Sequence, residues 1–131
     1  MNRPIHFEIH AEDLERAAKF YTAVFGWEVK EWPVPGQDPY LGIVTGAEGT
    51  LGINGGFVKR RGPAPVEGAA VNAYVCTIDV ESIDEMAKKI ETAGGTLALP
   101  KFAIPGMAWQ AYYKDTEGNI FGIHQPDKEA K

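Results

Sequence analysis

The sequence predicts an α+β fold built from two tandem modules, each running strand, helix, strand, strand, strand. Three observations predict it. The stretch from His6 to Val29 reads as a strand, a turn, a helix and a glycine that throws the chain into the next strand. The same order returns 69 residues on, with Phe7 falling on Cys76, Ile9 on Ile78, Gly26 on Gly95, Tyr40 on Trp109 and Glu48-Gly49 on Glu117-Gly118. A half-chain repeat of this kind is a duplicated supersecondary unit, neither copy of which buries its sheet alone. Finally, 131 residues suit one compact domain that buries about two-thirds of its unfolded surface.

The first module covers about residues 4–57. Residues 6–10 alternate, which puts Phe7 and Ile9 on one face and His6, Glu8 and His10 on the other. Asp13 is a plausible N-cap, and Leu14, Ala17, Ala18, Tyr21, Val24 and Phe25 recur at helical spacing until Gly26 ends the run. Strands are expected over 27–32, 40–45 and 50–57, with a turn at Val34-Pro35-Gly36-Gln37-Asp38-Pro39 and another at Ala47-Glu48-Gly49. A linker rich in proline and glycine, about residues 58–69, leads to the second module, about residues 70–126.

There a strand is expected over 71–79, and Ser82 with Glu85 forms a capping box. Ile83, Met86, Ala87 and Ile90 then make a buried stripe, and Ala93-Gly94-Gly95 stops the helix. Strands over 96–99, 107–114 and 119–124 complete the sheet. Phe102 to Met107 has the composition of an apolar flap, and Asp127 to Lys131 reads as a frayed end.

Composition narrows the function classes. The net charge of −5 argues against a nucleic-acid partner, because phosphate binding needs clustered Lys and Arg. Lys59-Arg60-Arg61 is the one basic cluster, either a solvated loop or a gate for an anionic ligand. No apolar run reaches membrane-spanning length and MNRPIHFEIH lacks a signal-peptide core, so no membrane partner and a cytoplasmic location are expected. The single cysteine, Cys76, cannot form an internal disulfide, and its apolar strand suggests a buried, inert thiol.

Helices on one face leave the other face of a curled sheet to cover something. That face should carry His6, Glu8 and His10 from the first strand and Gly122 and His124 from the last. Tyr40, Trp109 and Tyr112 or Tyr113 would add aromatic walls, which is the usual make-up of a small-molecule site. Trp109 and Tyr40, beside the Pro-Gly loops, are candidates to stack on a planar ligand.

The segments HFEI with DLERAAKFYTAVFGW, SIDEMAKKIETAGG, LPKFAIPGMAW and YYKDTEGNIFGIHQP together span most of the chain. On them the sequence resembles the vicinal oxygen chelate superfamily, which holds glyoxalase I, bleomycin-resistance proteins, extradiol dioxygenases and fosfomycin-resistance proteins. It is most similar to the small glyoxalase-like proteins described as related to lactoylglutathione lyase. The resemblance implies the glyoxalase/bleomycin-resistance/dioxygenase fold: one domain over residues 1–131, a curled eight-stranded mixed sheet and helices on its outer face. It also implies a homodimer, for which the exposed edges of an incomplete sheet supply a physical reason.

The superfamily's metal enzymes take a ligand from the first and the fourth strand of each module, usually His and Glu. The resemblance maps these places onto His6, Val75, Gly122 and Ile53, or Asn54 if the register slips by one. Only His6 carries a ligand-type side chain, whereas a catalytic metal needs about three protein ligands and an open position. No cofactor is therefore expected, and a divalent metal is disfavoured. A rebuilt set from His6, Glu8, His10 and His124 is the alternative, but same-face neighbours on one strand stand about 7 Å apart and chelate poorly.

Glu8 and His6 are the candidate catalytic pair. Glu8 would be a general base in an apolar hollow that favours its protonated form, or would simply pair with a neighbouring His or Lys. His10, Tyr40, Asn54, Trp109, Tyr112 and His124 are the candidate ligand-binding residues. Three readings stay open: a lyase or isomerase moving a proton on a small carbonyl compound, a metal-free protein sequestering a drug or metabolite, and a metal-dependent lyase or dioxygenase.

Overall fold

The structure, a computed structural model, describes residues 5–31, 39–69 and 75–131. The chain divides into two compact units, Met1–Ala64 and Pro65–Lys131, whose boundary falls inside the predicted linker.

The N-terminal unit contains β1 (His6–Ala11), α1 (Leu14–Phe25), β2 (Glu28–Glu31), β3 (Tyr40–Val44) and β4 (Asn54–Lys59). Its sheet order is β1-β4-β3-β2, with β1 parallel to β4 and the other pairs antiparallel. A parallel pair needs a crossover, so the last strand returns to lie beside the first. Asp13 caps α1 by accepting the Arg16 N–H at 3.0 Å. Gly26 closes it at φ 72°, the left-handed conformation that costs glycine least, with its N–H donating to Thr22 O.

Ala17, Phe20, Tyr21 and Val24 of α1 are buried, so Phe20 joins the predicted stripe. Beneath the helix lies an aromatic cluster. Tyr21 stacks on Trp27 (5.0 Å between centroids, 7° between planes) and also meets Phe57 at 5.7 Å, while Phe7 meets Trp27 at 5.8 Å. Burying each such side chain contributes about 1.5–3 kcal/mol. The helix-facing side of β1 is therefore Phe7 and Ile9, and the polar residues His6, Glu8 and His10 are exposed on the other, as the alternation predicts.

In the C-terminal unit, β5 (Thr77–Asp79), α2 (Ile83–Thr92), β6 (Thr96–Ile104), β7 (Ala108–Lys114) and β8 (Ile120–Pro126) repeat the order, and the sheet runs β5-β8-β7-β6. Ser82 accepts the Glu85 N–H, as a capping box requires, and the Ile83 N–H donates to Gln125 Oε1 at 2.9 Å. Ile83, Ile90 and Ile123 are fully buried, and Ala111, Tyr113 and Phe121 are nearly so. Burial pushes the Tyr113 phenol up, helped by the charges of Glu91 and Asp84 on α2. The odd-numbered residues of β7 therefore face the helix.

Several expectations need correction. β4 begins at Asn54 rather than Thr50, because residues 50–53 continue the turn: Thr50 donates to Ala47 O, and the Thr45 N–H to Asn54 Oδ1. β6 extends through Pro100 to Ile104 with two register shifts, and an edge strand tolerates such a proline. The predicted flap is thus the end of a hairpin, whose Met107 N–H donates to Ile104 O. Residues 127–130 are not frayed, since the Asp127 N–H donates to Met107 O, the Gly106 N–H donates to Ala130 O, and Ala130 is buried. Cys76 is exposed rather than buried; it precedes β5, an edge strand with a single partner. Partial desolvation nevertheless pushes its thiol up, away from thiolate reactivity. Of the predicted turn over 34–39, residues 34–38 lie outside the described residues, as do Trp32 and the strand start over 71–74. Among the described residues, no helix is long and apolar enough to cross a membrane.

Candidate functional site

On the open face of the N-terminal sheet, β1 and β4 pair so that His6 lies opposite Asn54 and Glu8 opposite Gly56, while Gly42 of β3 flanks Gly56 on its far side. Two glycines side by side leave a bare strip across the sheet. Tyr40 lies along it and brings its hydroxyl 2.7 Å from His6 Nε2, with the two rings nearly parallel at 13°. A Cβ on Gly56 would stand 2.1 Å from the Tyr40 hydroxyl, so the pair exists because residue 56 has no side chain. Desolvation, and secondarily the charge of Glu8, push the Tyr40 phenol up, so it remains a neutral donor or acceptor around pH 7.

Beside this pair is a cavity of about 370 Å³ lined by His6, Tyr40, Asn54, Lys30 and Val44 among others, within the size range of small-molecule sites. Asn54 contributes an edge, but its side-chain carbonyl is taken by the Thr45 N–H at 2.9 Å. Glu8 stands on the same face, exposed rather than seated in an apolar hollow. His10, further along, lies outside the cavity lining. Its carbonyl accepts Arg60 Nη2 at 3.0 Å, and Lys59 Nζ donates to Glu12 O. Part of the basic cluster therefore fastens β1 to the chain after β4.

The open face of the C-terminal sheet holds Thr77, Gln110, Tyr112 and His124. Gln110 Nε2 donates to Thr77 Oγ1 at 3.4 Å, and His124 Nδ1 is 2.9 Å from Gln110 Oε1. Gln110 is buried at 4% exposure, and it crosses the place where a Gly122 Cβ would stand 2.6 Å from its nitrogen. Tyr112 stacks with Phe102 at 6.4 Å, next to a cavity of about 430 Å³. Trp109 is not with them. One step out of phase, it lies on the other face with its Nε1–H on Asp127 Oδ2 at 3.0 Å and Lys101 Nζ 4.7 Å over its ring. Lys101 is itself paired with Asp84 of α2.

The pairings also correct the repeat. Glu8 opposite Gly56 matches Thr77 opposite Gly122, and Tyr40 opposite Val58 matches Gln110 opposite His124. Tyr40 is therefore equivalent to Gln110, not to Trp109. Gln110 was missed because a lone glutamine in a strand carries no chemical signal of its own. The available clue was the two-residue spacing that puts it in phase with Tyr112.

The sequence family described as "Bleomycin resistance protein-like N-terminal" matches residues 3–46. A "Glyoxylase-like domain-containing protein" of Didymella fabae is 30% identical over 118 residues, covering 88% of each chain. The chain belongs to the vicinal oxygen chelate superfamily. "Putative glyoxylase CFP32" of Mycobacterium tuberculosis is 28% identical over 95% of this chain and 46% of that protein, so the chain spans about half the length of the curated relatives it matches. Among solved structures, TnmS3, an antibiotic binding protein from Streptomyces sp. CB03234, superposes with a TM-score of 0.68 at 20% identity over 97% of this chain and 98% of that one. The two βαβββ units are the superfamily's fold.

In the superfamily's metal enzymes the last-strand ligands are the mates of one another, and here the pairings make Gly56, not Ile53 or Asn54, the mate of Gly122. The superfamily's ligand positions thus map onto His6 and Gly56 in the N-terminal unit and onto Val75 and Gly122 in the C-terminal unit, a single side-chain donor where a protein metal centre needs about three. At Gly56 the space is filled by Tyr40. Among the described residues, no three His, Cys, Asp or Glu side chains are grouped to hold an ion. The donor set does not fit the superfamily's metal.

Proposed function

We propose that this protein is a cytoplasmic, glyoxalase-like member of the superfamily that binds a small organic molecule on the open face of its N-terminal sheet without using a metal. The observation that carries this reading is the Tyr40 hydroxyl bonded to His6 across Gly56, because a hydrogen-bonded side-chain pair stands where a carboxylate and an ion would act. Its apolar surroundings and the adjacent cavity suit a ligand with a carbonyl or hydroxyl group on a mainly apolar frame. TnmS3, an antibiotic binding protein of the same fold, supports sequestration as the task. Purification without added ions, followed by elemental analysis and a thermal-shift screen of metabolites and antibiotics, tests the proposal. The expected result is melting raised by organic hits, less so in Tyr40→Phe, with no stoichiometric metal. Stoichiometric zinc, nickel, iron or manganese would overturn it.

A second reading, proton transfer on a small dicarbonyl compound, is favoured by Glu8 lying close enough for its charge to act on Tyr40. Glu8 would be the base and His6 its partner. Turnover of a screened dicarbonyl hit should then drop at least about 100-fold in Glu8→Gln, and unaltered turnover would remove Glu8 from the role. The unpaired outer edges of the two described sheets also suit a homodimer, which light scattering would detect as twice the chain mass.

A further inference from the structure

In the C-terminal unit the hydrogen-bond chain has a direction. Gln110 Nε2 can only donate, and it reaches Thr77 Oγ1; Gln110 Oε1 can only accept, and it faces His124 Nδ1 at 2.9 Å. The proton of a neutral His124 ring is therefore on Nδ1, and Nε2 presents a lone pair. Gln110 is buried and hydrogen-bonded at both ends, over Gly122.

The surroundings say what that lone pair meets. Phe102 of β6 lies opposite Gln110 and stacks on Tyr112 with 18° between the planes. Phe102 and Leu99 are 37% and 47% exposed, and the cavity past Tyr112 is bounded by Leu97, Val75 and Ile120. The aromatic pair and His124 thus share one face of the sheet, with Gln110 in register between Phe102 and His124. The charged residue in register with His124 is Asp79 of β5, while His124 Nδ1 is paired with Gln110 Oε1.

We propose that His124 is a binding residue for an aromatic hydroxyl, whose O–H donates to Nε2 while its ring lies on Phe102 and Tyr112, and that Gln110 is the positioning residue that sets the tautomer. The proposal deepens the small-molecule reading by naming a second subsite and the phenol class, and it rests on that reading only in taking an organic ligand as the occupant.

The chain contains three histidines, His6, His10 and His124, so protein labelled with nitrogen-15 in histidine alone gives three rings to follow by NMR, assigned with His6→Gln and His10→Gln. The probe is 4-methylphenol, compared with 4-methylanisole, which has the same shape and no donor. At a pH where the rings are neutral, His124 should carry its proton on Nδ1. The phenol should shift the His124 Nε2 resonance and bind about tenfold more tightly than the anisole. Gln110→Met should release the tautomer and abolish that preference, and Gln110→Glu, which keeps an acceptor, should restore both. Should Gln110→Met fail to fold, Thr77→Val at an exposed position weakens the same chain and should loosen the tautomer in the same direction. A proton found on Nε2, or equal binding of phenol and anisole, would overturn the proposal. So would a phenol that shifts His6 and not His124, which would leave the N-terminal site standing; failure of every organic hit in the thermal-shift screen would instead remove that broader reading.

Discussion

The two units solve one geometric problem with different side chains. In each, the last strand carries a glycine on the open face, and a residue from the preceding strand crosses it toward the first: Tyr40 over Gly56 to His6, and Gln110 over Gly122 to Thr77 and His124. A phenol hydroxyl can donate or accept, so the His6 pair is satisfied by either ring tautomer. An amide has distinct ends, so the Gln110 chain is directional. The cores differ in parallel, aromatic beneath α1 and mainly aliphatic beneath α2. The lesson is that deleting a ligand-type side chain does not leave a hole; it opens a lane that a neighbour fills, and the neighbour's chemistry decides what the face can bind.

The comparison can be broken most forcefully in the cores. Phe57→Ala, at a fully buried position that meets Tyr21, should cost about 3–5 kcal/mol in urea unfolding, against about 2–5 for Ile123→Ala in the other unit. Equal or reversed costs would deny the aromatic cluster its special weight. Next come the lanes. Gly56→Ala drives a methyl into the rigid Tyr40 ring and should cost about 1–3 kcal/mol; Gly122→Ala meets the ends of Gln110 and Thr77, which can turn aside, and should cost less. A larger loss for Gly122→Ala would show that the second lane is the more tightly built.

Removing single hydrogen bonds sharpens the contrast with smaller effects. Tyr40→Phe should lose about 0.5–1.5 kcal/mol and remove the hydrogen bond to His6 Nε2, visible as a change in the His6 ring signals alone. The smallest effect is on pH dependence. Tyr40 and Tyr113 both hold their protons more tightly folded than at their ordinary value of 10.0. A raised folded value means the stabilisation is whole below pH 10 and is lost as pH climbs through the folded value. Melting temperature should accordingly fall above about pH 10, and less steeply in Tyr40→Phe.

Much of this fold was legible. Apolar and polar alternation over His6 to Ile9, the caps at Asp13, Gly26 and Ser82 and the repeat itself are local signals, and local signals survive folding. The candidate site was legible in part. His6 and Tyr40 were singled out separately, but their contact depends on pairing register, which a constant 69-residue offset cannot supply once the modules differ by a residue between helix and third strand. That single slip exchanged Trp109 for Gln110 and turned a helix-side tryptophan into a presumed ligand wall. The exposure of Cys76 was hidden for a related reason, because an apolar segment does not announce that its strand is at an edge.

Trp109 nonetheless acquires a use from where it sits. Its indole N–H is held by Asp127, the first residue of the segment that closes the β6-β7 hairpin through Met107 and Gly106, so its contribution to the emission of the chain's three tryptophans gauges whether that closing segment is in place. Asp127→Ala, which releases that indole N–H, should be readable as a red shift of that contribution while the sheet stays folded.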